Sequence, residues 1–226
     1  MEACAKPADG RGANVGAVAD GAGPLRVGLM GGTFDPPHLG HLLAAEQARD
    51  GLGLDEVVFM PAGEPAFKQD SCRVGAEDRL AMTRLAVEGI EGWRASDLEV
   101  LRPGITYTAD TLRRLRELLP SDARIFFIVG TDAAASMPAW KEPGVVAELA
   151  EIALVQRPGE ADAASVAERL RQAGFRVHVV PASTASVSSS QVRRRIAEGR
   201  TVRFFVPDEV IRYIDEHGLY LQPEEA

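Results

Sequence analysis

Cysteine is scarce in this 226-residue chain. Only Cys4 and Cys72 occur, in segments that both read as loops, with no CxxC and no Cys/His cluster. That pattern indicates neither a disulfide framework nor a structural zinc site, and a reducing cytoplasm is the expected compartment. Long apolar runs are missing as well: nothing approaches the ~18 uninterrupted apolar residues of a membrane span. Basic residues are outnumbered, 25 Lys and Arg against 33 Asp and Glu, for a formal charge of −8. A surface so charged argues against sequence-independent binding to nucleic acid, so an anionic ligand must be met locally. Two common phosphate-binding motifs are also absent, since neither GxGxxG nor GxxxxGK[ST] occurs.

What is present is an ordinary globular composition, 46% hydrophobic and 26% charged, long enough for one full domain. Residues 1–24 hold twelve Ala or Gly and no signal-peptide core, and they are expected to form a flexible extension. Residues 25–221 are expected to form the domain, and 222–226 a tail. Aliphatic runs at 26–30, 56–61, 98–102, 124–130, 151–156 and 176–181 read as strands, several apolar throughout, as strands covered on both faces must be. Helical patterns at 38–50, 77–89, 108–119, 143–150, 162–173, 189–198 and 207–217 alternate with them. The fold class this implies is α/β, a Rossmann-like doubly wound parallel sheet flanked by helices in a single domain. Ligands of such a sheet bind beyond the strands' carboxyl ends, where strand order reverses. The least regular interior stretch, 61–75, reads as a mobile loop near that edge.

Directly after the first strand comes "GLMGGTFDPPHLGH", 28–41. Gly31 and Gly32 permit close approach to the backbone, and a helix starting behind them presents unpaired N–H groups to an anion. Asp35 is expected to cap that helix, with Pro36 or Pro37 in its first turn. His38 and His41, three apart, then face one way as a donor pair for phosphate oxygens; with further ligands the same pair could hold a metal. Later motifs follow other strands. Asp132 of "IVGTD" is placed to accept from a ribose hydroxyl, or to cap a helix. Trp140 sits in a loop, where a flat indole suits stacking on a planar ring. The serines of "VSSSQVRRRI", Ser188, Ser189 and Ser190, offer hydroxyls and N–H groups to phosphates, with Arg193 one turn in to neutralise charge. A basic surface helix or a phosphorylation site is the alternative there.

"HLGH" resembles the HxGH signature of the nucleotidyltransferase superfamily, and 25–221 as a whole resembles bacterial nicotinate-nucleotide adenylyltransferases. That resemblance implies transfer of the adenylyl group of ATP to nicotinate mononucleotide, giving nicotinate adenine dinucleotide and pyrophosphate, with Mg²⁺ carried on the ATP phosphates. It implies catalytic roles for His41, His38, Lys68 and Arg193. It assigns Gly31, Gly32, Thr33, Phe34, Gly130, Asp132 and the serines to ATP, and Thr33, Lys68, Tyr107, Thr108, Trp140 and Arg157 to the acceptor. By resemblance Arg157 holds the mononucleotide phosphate, and Tyr107 and Thr108 contact the nicotinate part; read alone, Arg157 is a solvated arginine, and Tyr107 and Thr108 a core-edge aromatic and an N-cap. One departure stands out: where many members have PPHK, this chain has "PAFK", with Phe67 in place of histidine. A transferase using another phosphate acceptor, nicotinamide mononucleotide or phosphopantetheine, is the near alternative, and a nucleotide sensor without turnover the distant one.

Overall fold

The computed structural model describes residues 23–65, 72–156, 162–181 and 187–222. Its sheet is built from β1 (Arg26–Gly32), β2 (Glu56–Pro61), β4 (Trp93–Ala95), β6 (Arg124–Gly130), β7 (Glu151–Gln156) and β8 (Val177–Pro181). They lie in the order β4-β2-β1-β6-β7-β8, and each neighbouring pair is parallel. The chain builds outward from β1 to one edge, then returns to add strands on the other side of β1. The strand order therefore reverses between β1 and β6.

Parity along the strands sorts the core into two layers. Val27, Leu29, Val58, Met60, Ile125, Phe127, Ile152 and Leu154 face one layer. It is covered by α3 (Thr108–Leu118), α4 (Thr131–Ser136), α5 (Pro143–Leu149) and α6 (Ala163–Gln172). Met30, Val57, Phe59, Phe126, Ile128, Ala153 and Val155 face the other layer, against Ala44, Ala45 and Ala48 of α1 (Leu39–Leu52). Those three alanines let the helix approach the sheet closely, which matters because α1 carries the histidines. A third cluster joins α2 (Ala76–Val87), α7 (Ser189–Ala197) and α8 (Asp208–Glu216) through Met82, Val192, Val210, Ile214 and Tyr220.

The structure corrects one expected strand. Residues 98–102 form hydrogen-bonded turns, Leu101 N–H donating to Asp97 O and Arg102 N–H to Glu99 O, and Leu101 is exposed. Edge strand β4 comes earlier, at "WRA", where only Trp93 is buried and no aliphatic run marks it. Beyond it a two-stranded parallel ribbon pairs β3 (Glu64–Pro65) with β5 (Ile105–Thr106). No helix among the described residues is long and apolar enough to cross a membrane. Cys4, Phe67, Lys68 and Arg157 lie outside the described residues.

Candidate active site

At the reversal point β1 ends in Gly31–Gly32 and β6 in Gly130. The loop leaving β1 does not run as the sequence suggests. Asp35 does not cap α1: the helix starts at Leu39, and Pro36 and Pro37 precede it, the Asp35–Pro36 peptide being cis. The cap residue is His38, in extended conformation, and its backbone N–H donates to Nδ1 of His41 at 3.2 Å. An Nδ1 that accepts places the proton of the neutral imidazole on Nε2, so His41 is prepared as a donor before any ligand arrives. The two rings stack, 3.7 Å between centroids, and Phe34 meets His41 edge-on. The pair divides its work by depth: His38 is 3% exposed, while His41 is only partly buried.

Gly40, between them, has a steric reason. A Cβ there would lie 3.0 Å from two atoms of the His38 ring and 3.3 Å from Val187 O. The helix start is thus crowded by its own histidine on one side and by the approach to α7 on the other.

Asp35 has instead become a hub. Its carboxylate, 2% exposed, accepts from the Tyr220 hydroxyl at 2.6 Å on Oδ1 and from Arg73 N–H at 2.7 Å on Oδ2. Its backbone carbonyl accepts from Arg193 Nη1 at 2.7 Å, and the neighbouring Pro36 carbonyl from Ser189 Oγ at 2.9 Å. Ser188 caps α7, accepting from Gln191 N–H, and Ser190 Oγ accepts from Arg193 Nη2. These bonds bring the N-termini of α1 and α7 side by side although some 150 residues separate them. Two helix starts, each carrying a partial positive charge, make a seat for phosphate, although Leu39 N–H is taken by Phe205 O, His41 N–H by His38 O and Gln191 N–H by Ser188 Oγ. Buried Arg79 pins the same loop from beneath, donating to the carbonyls of Thr33 and Gly63 at 2.9 Å each.

A cleft with a cavity volume of about 180 Å³ opens beside this seat. Gly31, Gly32, Thr33, Tyr107, Thr108 and Trp140, all expected at the site, line it. So do Glu99, Thr106, Thr111 and Lys141, which sequence reading missed. Trp140 follows a short 3₁₀ turn; its Nε1 donates to Ser136 Oγ and its ring makes a T-shaped contact with Phe127. Glu99 accepts from Thr111 Oγ1 at 2.5 Å. Burial pushes its carboxyl up from the ordinary value, and the Thr111 and Thr106 hydroxyls pull only part of the way back. Thr108 is the first residue of α3 and Tyr107 its cap, without a side-chain capping bond.

Two expected residues are placed less directly. The ring of Phe34 is buried and supports His41 rather than opening to the cleft. Asp132 lies exposed in the first turn of α4, one residue past Thr131, and does not cap it.

The cytidylyltransferase-like family model matches residues 29–195. A probable nicotinate-nucleotide adenylyltransferase of Dehalococcoides mccartyi is 40% identical over 198 residues, covering 87% of this chain and 97% of that one. One of Thermus thermophilus is 44% identical over 196 residues, covering 87% of this chain and 100% of that one. In fold, the chain is similar to Plasmodium falciparum nicotinic acid mononucleotide adenylyltransferase complexed with NaAD. The TM-score is 0.72 at 18% identity, covering 89% of this chain and 100% of that one.

Proposed function

We propose the chemistry of this cleft from one premise: the chain belongs to the nicotinate-nucleotide adenylyltransferase family, within the cytidylyltransferase-like proteins. The reaction is transfer of the adenylyl group of ATP to nicotinate mononucleotide, yielding nicotinate adenine dinucleotide and pyrophosphate, in the cytoplasm. The observation that carries this reading is the pairing of the α1 and α7 starts beside an aromatic cleft. One region takes a triphosphate and the other a flat ring, and the two meet at Gly31–Thr33.

The mononucleotide's 5′-phosphate attacks the α-phosphorus in line, and the bond to the β-phosphate oxygen breaks. A phosphate monoester is a sufficient nucleophile near neutral pH, so no side chain need attack. The chain's task is alignment and stabilisation of charge. His41 donates from Nε2 to an α-phosphate oxygen as negative charge gathers there. His38, behind it, holds that ring by stacking and by its backbone N–H. Ser188, Ser189 and Ser190, with the N–H groups of α7, take the outer phosphates, and Arg193 supplies positive charge through Ser190. Trp140 stacks on the pyridine ring, and Tyr107 and Thr108 frame it. Asp132, at the end of β6, meets a ribose hydroxyl. Lys68 and Arg157 complete the phosphate contacts of the acceptor.

Mg²⁺ fits this arrangement as a passenger on ATP. Among the described residues no group of three or more His, Cys, Asp or Glu is placed to hold a metal, and the Asp35 carboxylate is occupied by Tyr220 and Arg73. The ion's ligands would be phosphate oxygens and water, and it would neutralise the departing pyrophosphate.

The test is pyrophosphate release from Mg-ATP with nicotinate mononucleotide, nicotinamide mononucleotide and phosphopantetheine in separate reactions. Fast release with the first supports the reading. Release only with phosphopantetheine replaces the acceptor, and ATP binding with no release from any acceptor replaces the enzyme with a sensor.

A further inference from the structure

The acceptor cleft carries charge of both signs. Glu99 lies deep in it, bonded to Thr111, one turn into α3 beyond Thr108. Lys141 is the one cation among the described residues that line it. Its Nζ stands 4.2 Å from the centre of the Tyr107 ring and 3.4 Å from Asp110 Oδ2. An aromatic face and a carboxylate together hold a flexible ammonium in place, which a lysine on an open surface lacks.

Lys141 does not have the Asp110 carboxylate to itself. Asp110 also takes Arg102 at 3.2 Å and Arg113 at 3.2 Å, and Arg113 is shared with Glu142. Around Asp110 and Glu142 three cations therefore face two carboxylates, with Glu99 a further acid in the cleft, and Lys141 is the one of the three cations that lines the cleft. Burial acts to raise the Asp110 carboxyl, but Arg102 and Lys141 more than offset it and keep the group ionised, so the clamp on the ammonium persists at neutral pH.

Nicotinate and nicotinamide rings have nearly the same shape, so Trp140 stacking cannot tell them apart. Backbone N–H groups at a helix start such as that of α3 can donate to an oxygen of either substituent. A full positive charge at the lip distinguishes them, because only the carboxylate carries the opposite charge.

We propose that Lys141 is a specificity-determining residue: its ammonium, clamped by Tyr107 and Asp110, favours an acceptor whose pyridine ring bears a carboxylate over its carboxamide counterpart. This rests on the adenylyl-transfer reading above. Lys141 is partly open to water, so the preference it adds is about fivefold rather than orders of magnitude.

The experiment compares wild type, Lys141→Gln and Lys141→Arg with each mononucleotide, by pyrophosphate release and by calorimetric binding of the mononucleotide alone. Thermal melting confirms that the variants fold. The expected result is a fall of about fivefold in kcat/KM for nicotinate mononucleotide in Lys141→Gln, carried by KM. The carboxamide acceptor should change by less than about twofold, and Lys141→Arg should keep the wild-type ratio. An unchanged ratio, or equal losses for both acceptors, overturns the proposal. Absence of turnover with a binding ratio that still collapses in Lys141→Gln leaves it standing and removes adenylyl transfer; if neither mononucleotide binds, both fall.

Discussion

Replacing Tyr220 by Phe removes one oxygen and leaves the ring, which packs with Val192, Val206 and Val210. The lost contact is a 2.6 Å hydrogen bond to a carboxylate that is 2% exposed, so water cannot easily replace the donor. A hydrogen bond to a buried charged group contributes ~2 kcal/mol. For a domain of this size that corresponds to a fall of about 4–8 °C in Tm. Calorimetric melting near neutral pH measures it directly. Burial and the Asp35 carboxylate push the Tyr220 hydroxyl far up from its ordinary value. A group whose folded pKa is raised contributes stability that is complete below its unfolded pKa and declines above it. Wild type should therefore lose stability more steeply than Tyr220→Phe above pH ~10, where an unfolded tyrosine begins to ionise, and the gap between them should narrow. Tyr220→Phe melting within about 1 °C of wild type, with parallel alkaline limbs, would refute the claim that this hydroxyl holds Asp35.

Three further outcomes are expected. His41→Ala should lower the turnover of pyrophosphate release by about 100- to 1000-fold while leaving the melting curve little changed; equal damage to both would make the histidine structural. Gly40→Ala should gain helix propensity yet cost about tenfold or more in turnover, because its Cβ presses on the His38 ring; full activity would show that the ring yields freely. In Glu99→Gln the amide oxygen can still accept from Thr111. The raised carboxyl of Glu99 makes wild type lose stability as pH rises through its folded value. The variant's stability relative to wild type, read from urea unfolding, should therefore increase from pH ~4 to pH ~7; a constant difference would contradict the buried-acid account.

Most of the sheet is legible in the sequence because its central strands are covered on both faces, and "EVVFMP" and "RIFFIVG" need no periodicity to be recognised. The edge is not. β4 buries only Trp93, while "LEVLR" has the composition of a strand but supplies turns and the cleft carboxylate Glu99. The site divides in the same way. Gly-Gly, HLGH, Tyr107–Thr108, Trp140 and the serines are visible because each follows a strand or opens a helix. Arg79, Tyr220 and Lys141 are not, because their importance lies in what they touch across the fold. Asp35 shows the hazard of reasoning locally: an aspartate before two prolines is a good cap, but Tyr220, Arg73 and Arg193 compete for it and prevail.

The cleft and the phosphate seat draw on different stretches of chain. Every lining residue of the cleft falls between Leu29 and Lys141, whereas the seat joins the loop at Asp35 and Pro36 to Ser189, Arg193 and Tyr220. Contacts this distant in sequence close late and slowly. The phosphate seat therefore exists only once α7 and the chain beyond it have packed against the loop at Asp35 and Pro36.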